Sequence, residues 1–226
     1  MSKENTAAAE NAAKKPERAP APVSKSLQRA RNKAASKYIF KLAGTLLGIS
    51  VVVALLLGIV NSVTEPIISA TKQAKTEEAM AQVLVAKHYV RATAEEWDIG
   101  EVENLVALYD AANDEGYVGY VAEVIASGFG GTISMVVGVD MDGNVTGVQV
   151  TDQTETANIG SKVVTDQSVL DRFVGMSHAN GEITVNSGTN RFDGVTGATV
   201  SSKAVASGVN TALTAVNKVL ASNAGK

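Results

Sequence analysis

Thr132-Ile133-Ser134-Met135-Val136-Val137-Gly138-Val139, then the turn Asp142-Gly143-Asn144, then Val145 to Asp152: this stretch decides the fold class. Ile133, Met135, Val137 and Val139 recur with period two, which puts their side chains on one face of an extended strand. The Asp-Gly-Asn segment between the two runs reads as a hairpin turn, because Gly and Asn accept the backbone angles a tight turn demands. Upstream, Asn104 to Tyr109 and Tyr117 to Ala126 carry further strand signals. Four successive strand signals with no helical pattern between them predict an antiparallel sheet rather than a doubly wound parallel one. A short helix is expected around Ser168 to Phe173. A closing helix is expected from about Val200 to Leu220, with Val205, Val209, Ala212, Leu213, Val216 and Leu220 sharing one face. The fold class is therefore α+β.

On the N-terminal side, the 22 residues from Leu42 to Val63 carry no charge. As a helix they are long enough to cross about 30 Å of hydrocarbon. The run is longer than the apolar core of a signal peptide and lies further from the N-terminus, so a retained transmembrane helix is expected over residues 38–64. Residues 1–37 are rich in Ala, Lys, Pro and Ser without apolar periodicity, the composition of a disordered basic arm. Ten of the 20 Lys and Arg residues fall in positions 1–41, with three acidic residues, whereas the chain beyond Val63 holds ten basic and 20 acidic residues. The positive-inside rule then puts the N-terminus in the cytoplasm and everything after the helix on the outer face. Beside a membrane helix, the basic arm suits topology control and anionic lipid of the bilayer better than nucleic acid. Glu65-Pro66 and the apolar positions Ile67, Ile68, Ala70, Ala74, Ala79, Met80, Val83 and Leu84 predict a helical connector over residues 65–100 that holds a domain of residues 101–226 off the bilayer.

Several chemistries are excluded. With no cysteine, the chain has no disulfide, thiolate metal site or iron–sulfur ligand, so redox chemistry needs an organic cofactor. His88 and His178 have no partner at metal-ligand spacing and are expected at the surface, so no metal site is expected. Gly128-Phe129-Gly130-Gly131 has neither P-loop nor dinucleotide-fingerprint spacing. The hydroxyl run Thr199 to Ser202 lacks a nucleophile elbow, and no catalytic residue is assigned.

The stretch that speaks most of function is Asp193-Gly194-Val195-Thr196-Gly197-Ala198-Thr199-Val200-Ser201-Ser202, a hydroxyl-dense turn running into the closing helix. Its small residues admit a bulky group, and the helix start offers free N–H groups and a positive dipole end, which suits a phosphate. A plain helix cap of Thr and Ser is the competing reading. The segment Asp193 to Thr199 resembles the flavinylation motif Asp-Gly-x-Ser/Thr-Gly-Ala-Ser/Thr of the FMN-binding domain family shared by the G subunit of the Rnf complex and the C subunit of the sodium-pumping NADH:quinone reductase. Gly128-Phe129-Gly130-Gly131-Thr132-Ile133 is similar to that family's Gly-aromatic-Gly-Gly-x-Ile segment. Glu155-Thr156-Ala157-Asn158-Ile159-Gly160 is similar to its Glu-Thr-Pro-Gly-Leu-Gly loop, with Ala157 in place of Pro and Asn158 in place of Gly.

The resemblance covers roughly residues 42–222. It implies FMN joined by a phosphoester to Thr199, attached by a flavin transferase that uses FAD and Mg2+. Thr196, Gly197 and Ala198 would shape the attachment turn, and Asp193 would fix it or help hold a metal while the bond forms. Glu155 and Thr156 would lie near the isoalloxazine or ribityl chain, and Gly130 and Gly131 would let backbone N–H groups approach it. Phe129 and Phe192 are candidates either for stacking on the ring or for core packing. The function implied is an electron carrier of an Rnf-type ion-translocating ferredoxin:NAD+ oxidoreductase, in a bacterial inner membrane with partner membrane subunits and no catalysis alone. The quinone reductase subunit, a solitary flavin domain for sensing or extracellular electron transfer, and a non-redox membrane scaffold remain as alternatives.

Overall fold

The computed structural model describes residues 25–92 and 100–224. The chain divides into two compact units, Met1–Thr64 and Glu65–Lys226. Helix α1, Lys25–Val83, runs through the division. In the first unit every Leu, Ile and Val from Leu42 to Val63 is exposed to solvent, so this stretch has no protein core to enter. By length and composition, α1 is the one helix among the described residues that could cross a membrane. Residues 1–24 of the expected disordered arm lie outside the described residues, and residues 25–37 are helical instead. The apolar run to their C-terminal side supplies a formed helix for them to extend, so helix nucleation need not be repeated.

The second unit is built on a five-stranded antiparallel sheet in the order β1-β2-β3-β4-β5. The strands are β1 His88–Arg91, β2 Leu105–Asn113, β3 Gly116–Ser127, β4 Thr132–Asp140 and β5 Val145–Gln153. The Asp142-Gly143-Asn144 turn joins β4 to β5, with Gly143 at φ 81° and Asp140 Oδ1 accepting from the Asp142 and Asn144 amides at 3.0 and 2.8 Å. Two short helices follow, α2 Ser161–Thr165 and α3 Gln167–Leu170, the latter continued by a 3-10 turn to Phe173. A parallel pair of two-residue strands, β6 Thr184–Val185 and β7 Arg191–Phe192, precedes the closing helix α4, Thr199–Ala224.

Both faces of the sheet are covered. On one, Val124, Met135, Val137 and Val148 pack against Val205, Val209, Leu213 and Val216 of α4, the stripe expected from the sequence. On the other, Ala79, Met80 and Val83 of α1 close over Ala111, Val121 and Val136. The second layer corrects the expected connector. Residues 65–100 are helix only as far as Val83, the last turn is part of the core, and His88–Arg91 is an edge strand paired with β2. Tyr89 joins the two, its hydroxyl donating to the Leu84 carbonyl at 2.5 Å. Ile67 and Ile68, apolar positions of the same expected connector, are exposed.

Met135 shows how tightly sheet and helix meet. It is fully buried, and a Cβ built on Gly208 of α4 would come within 2.9 Å of its sulfur. Met135→Ala is expected to lower the unfolding free energy by about 2–5 kcal/mol, read by chemical denaturation.

Candidate functional site

Strand register brings two of the motif segments to one end of the sheet. Ser127 pairs with Thr132 across the β3–β4 connection, and Ile133 pairs with Gln153 where β5 runs out, so the turn at 128–131 and the loop at 154–160 are neighbours. The start of α4 reaches the same place. Its contact is Glu155, 8% exposed, whose Oε2 accepts from Ser201 Oγ at 2.7 Å. Glu155 Oε1 accepts from the amides of Phe129 and Gly130 at 2.8 and 3.2 Å. One carboxylate thus clasps all three segments. Gly160 makes room for it: a Cβ there would lie 2.1 Å from Glu155 Oε2 and 2.7 Å from Ser201 Oγ.

The three segments enclose a cleft of about 350 Å3 lined by Phe129, Glu155, Thr156, Ile159, Gly160, Gly197, Ala198, Thr199, Val200 and Ser201. Its walls combine apolar side chains (Phe129, Ile159 and Val200, each at least half exposed) with a few polar groups, the usual make-up of a cofactor site. Thr199 stands exposed in one wall. The Ala198 carbonyl accepts the first α-helical bond, from the Ser202 amide at 2.9 Å, so Ala198 occupies the cap position and Thr199 is the first residue inside the helix. Ala is a poor cap, and the Thr199 hydroxyl bonds to no described residue. This removes the plain-cap reading of Thr199. The amides of Thr199, Val200 and Ser201 precede the helical ladder and are oriented for an anion.

The remaining candidates divide. Glu155, Thr156, Gly197, Ala198 and Thr199 line the cleft, whereas Thr196, Asp193, Gly130 and Gly131 stand outside its lining. Asp193 pairs with Arg191 at 2.9 Å, and its carbonyl accepts from Arg172 at 2.7 Å, so of its two expected roles the geometry supports fixing the turn. The Gly130 amide is spent on Glu155. Glycine is needed at 130 because a Cβ would lie 2.3 Å from the Thr154 carbonyl oxygen, and at 131 because it would lie 2.2 Å from Thr154 Oγ1. Both glycines thus have a packing reason, and the Gly130 amide is already engaged by Glu155. Phe192 is fully buried and stacked on Phe173 with centroids 4.1 Å apart, leaving Phe129 as the aromatic at the cleft. Asn158 takes φ 63°, the left-handed backbone that Gly would adopt at that point of the loop. His88 and His178 are exposed.

Two residues of the clasp were not singled out from the sequence, Ser201 as a partner of Glu155 and Gly160. The Ser201–Glu155 bond spans 46 positions along the chain, and no local pattern announces it.

A phosphate ester on the Thr199 oxygen with an aromatic ring in the cleft would use what is present: a free hydroxyl, unpaired helix amides and apolar walls. Residues 128–214 match the FMN-binding domain family, and that range contains the whole cleft. The chain is 32% identical over 188 residues to the G subunit of the Na+-translocating ferredoxin:NAD+ oxidoreductase complex of Acetobacterium woodii, covering 77% of this chain and 89% of that protein. It is 31% identical to the G subunit of the ion-translocating oxidoreductase complex of Methanosarcina acetivorans, over 79% and 94% of the two chains. The crystal structure of Shewanella oneidensis NqrC aligns with a TM-score of 0.45 and 21% identity, over 61% of this chain and 70% of that one. Motif order, cleft and relatives agree: this chain belongs to the family of G subunits of ion-translocating oxidoreductase complexes, and its second unit carries their FMN-binding domain.

Proposed function

We propose that this chain is the membrane-anchored electron-carrier subunit of an ion-translocating ferredoxin:NAD+ oxidoreductase, with FMN joined through its phosphate to Thr199. The observation that carries the reading is the unbonded Thr199 hydroxyl in the wall of the cleft where three separate motif segments meet. Bound FMN supplies the electron-carrying chemistry that no side chain of this cysteine-free chain can provide. The protein supplies the rest. In attachment by a flavin transferase, the Thr199 hydroxyl gives up its proton, its oxygen forms the bond to the FMN-side phosphorus of FAD, and AMP leaves. The amides of Thr199, Val200 and Ser201 would hold the residual charge of the ester, at about 0.3–1 kcal/mol per helix-end contact. Phe129, Ile159 and Val200 would offer the ring apolar surface, and Glu155 fixes the spacing of the walls.

Full-length chain made together with its flavin transferase is expected to gain the mass of one FMN less one water, with the adduct mapped to Thr199. An unmodified chain under those conditions, or an adduct on Ser201 or Ser202, overturns the assignment.

The charge asymmetry across Leu42 to Val63 supports a single-pass arrangement in a bacterial inner membrane, N-terminus cytoplasmic and flavin domain on the outer face, beside the other membrane subunits of the complex. Protease added to intact spheroplasts is expected to cut the acidic domain and spare residues 1–37. The reverse protection pattern would contradict this topology.

A further inference from the structure

Glu155 is a carboxylate in the wall of the cleft, and among the described residues no cationic side chain lies within ion-pair distance of it. It is 8% exposed, and three donors face it: the Phe129 and Gly130 amides on Oε1 and the Ser201 hydroxyl on Oε2. The two amides can only donate and the hydroxyl can turn to donate, a set that accommodates a carboxylate carrying its charge. Among the described residues it forms no ion pair, unlike Asp114 with Lys87 and Asp193 with Arg191. Its negative charge is therefore spread over hydrogen bonds and not cancelled. The cleft it faces is the one that holds Thr199.

Charge in a partly enclosed apolar cleft is screened less than charge in water, so a fixed carboxylate there acts strongly on any charge that appears beside it. An electron that reaches a bound flavin without a matching proton would place negative charge in that cleft. Resting on the FMN reading above, we propose that Glu155, through its charge, holds the reduction potential of the bound flavin low, and that Ser201 moderates this effect by drawing part of the carboxylate charge into a hydrogen bond. The carboxylate is needed structurally as a clasp, which any good acceptor could serve, but the shift in potential needs the charge. The two roles are separable because Gln preserves an acceptor oxygen for the two amides and an NH2 group for Ser201 while removing the charge.

The test is a redox titration of the purified full-length chain in detergent, followed by visible absorbance, with intact mass confirming that each variant carries its flavin. Glu155→Gln is expected to raise the midpoint potential enough to change the reduced-to-oxidised ratio at least tenfold at fixed potential, which is 59 mV for a one-electron couple. Ser201→Ala, which leaves the charge and removes a donor, is expected to shift the midpoint the opposite way. A purely structural clasp would give shifts of the same sign in both, or none. An unchanged or lowered midpoint in Glu155→Gln overturns the proposal. Should Glu155→Gln fail to take up flavin, Ser201→Ala decides: a lowered midpoint supports the charge effect, and any other result overturns it. Absence of flavin from the unaltered chain would instead overturn the FMN attachment itself, so the two failures are distinct.

Discussion

Thr199→Ala leaves a folded chain that holds no covalent flavin. Its effect on folding is small for a specific reason. The residue is exposed, bonds to no described residue, and sits just inside the helix, while Ala198 takes the cap position. Replacing an exposed residue with Ala, the best helix former, keeps the change within about 0.5 kcal/mol, smaller than the loss of a true cap. The effect on function is complete. No other hydroxyl of the turn is both in the cleft and free: Ser201 donates to Glu155, Ser202 accepts from the Val195 amide and is fully buried, and Thr196 stands outside the lining. Intact mass should show no adduct, the unfolding midpoint should match that of the unaltered chain, and ferredoxin-linked NAD+ reduction by the assembled complex should stop. A flavin-free complex that keeps full activity would make the subunit a scaffold. Thr199→Ser, which keeps the oxygen, should keep the adduct.

What the sequence disclosed depended on how local each signal was. The four longer strands, β2 to β5, and α4 were legible because period two and period 3.6 are written into consecutive residues, and α4 runs only a turn beyond its expected end, to Ala224. Edge strand β1 was not legible. It has four residues, and its partner β2 begins 14 residues after it ends, so pairing rather than propensity makes it a strand. The burial of Ala79, Met80 and Val83 was likewise hidden, since the apolar positions that continue back to Ile67 are indistinguishable in sequence from those that find the sheet. The site followed the same division. Thr199 could be named from a contiguous motif. The reason its neighbour Ser201 is unavailable, a carboxylate 46 positions away, exists only in the folded chain.

Gly160 and Gly197 border the same cleft, yet their replacement by Ala should fail in different ways. Gly160 has an ordinary backbone, φ −63° and ψ −36°, so its conformation does not require glycine. Space does: the added Cβ would lie 2.1 Å from Glu155 Oε2. Neither the carboxylate nor Ser201 can yield without giving up the clasp, and each polar group orphaned there costs about 1–3 kcal/mol. Gly160→Ala is therefore expected to lose both stability, by roughly 3 kcal/mol, and flavin loading. Gly197 is the opposite case. Nothing lies within 4 Å of its added Cβ, but its φ is 84°, a left-handed backbone that costs a residue with a Cβ about 1–2 kcal/mol. That strain falls on an exposed turn, and Glu155 and Ser201 keep their bond. Gly197→Ala should lose less stability than Gly160→Ala in denaturant titrations, and any loss of loading should come from the altered turn carrying Thr199. Equal stability of Gly160→Ala and the unaltered chain would mean that the Glu155 clasp is not closed in solution, and the cleft would then have to be held together by the packing of α4 alone.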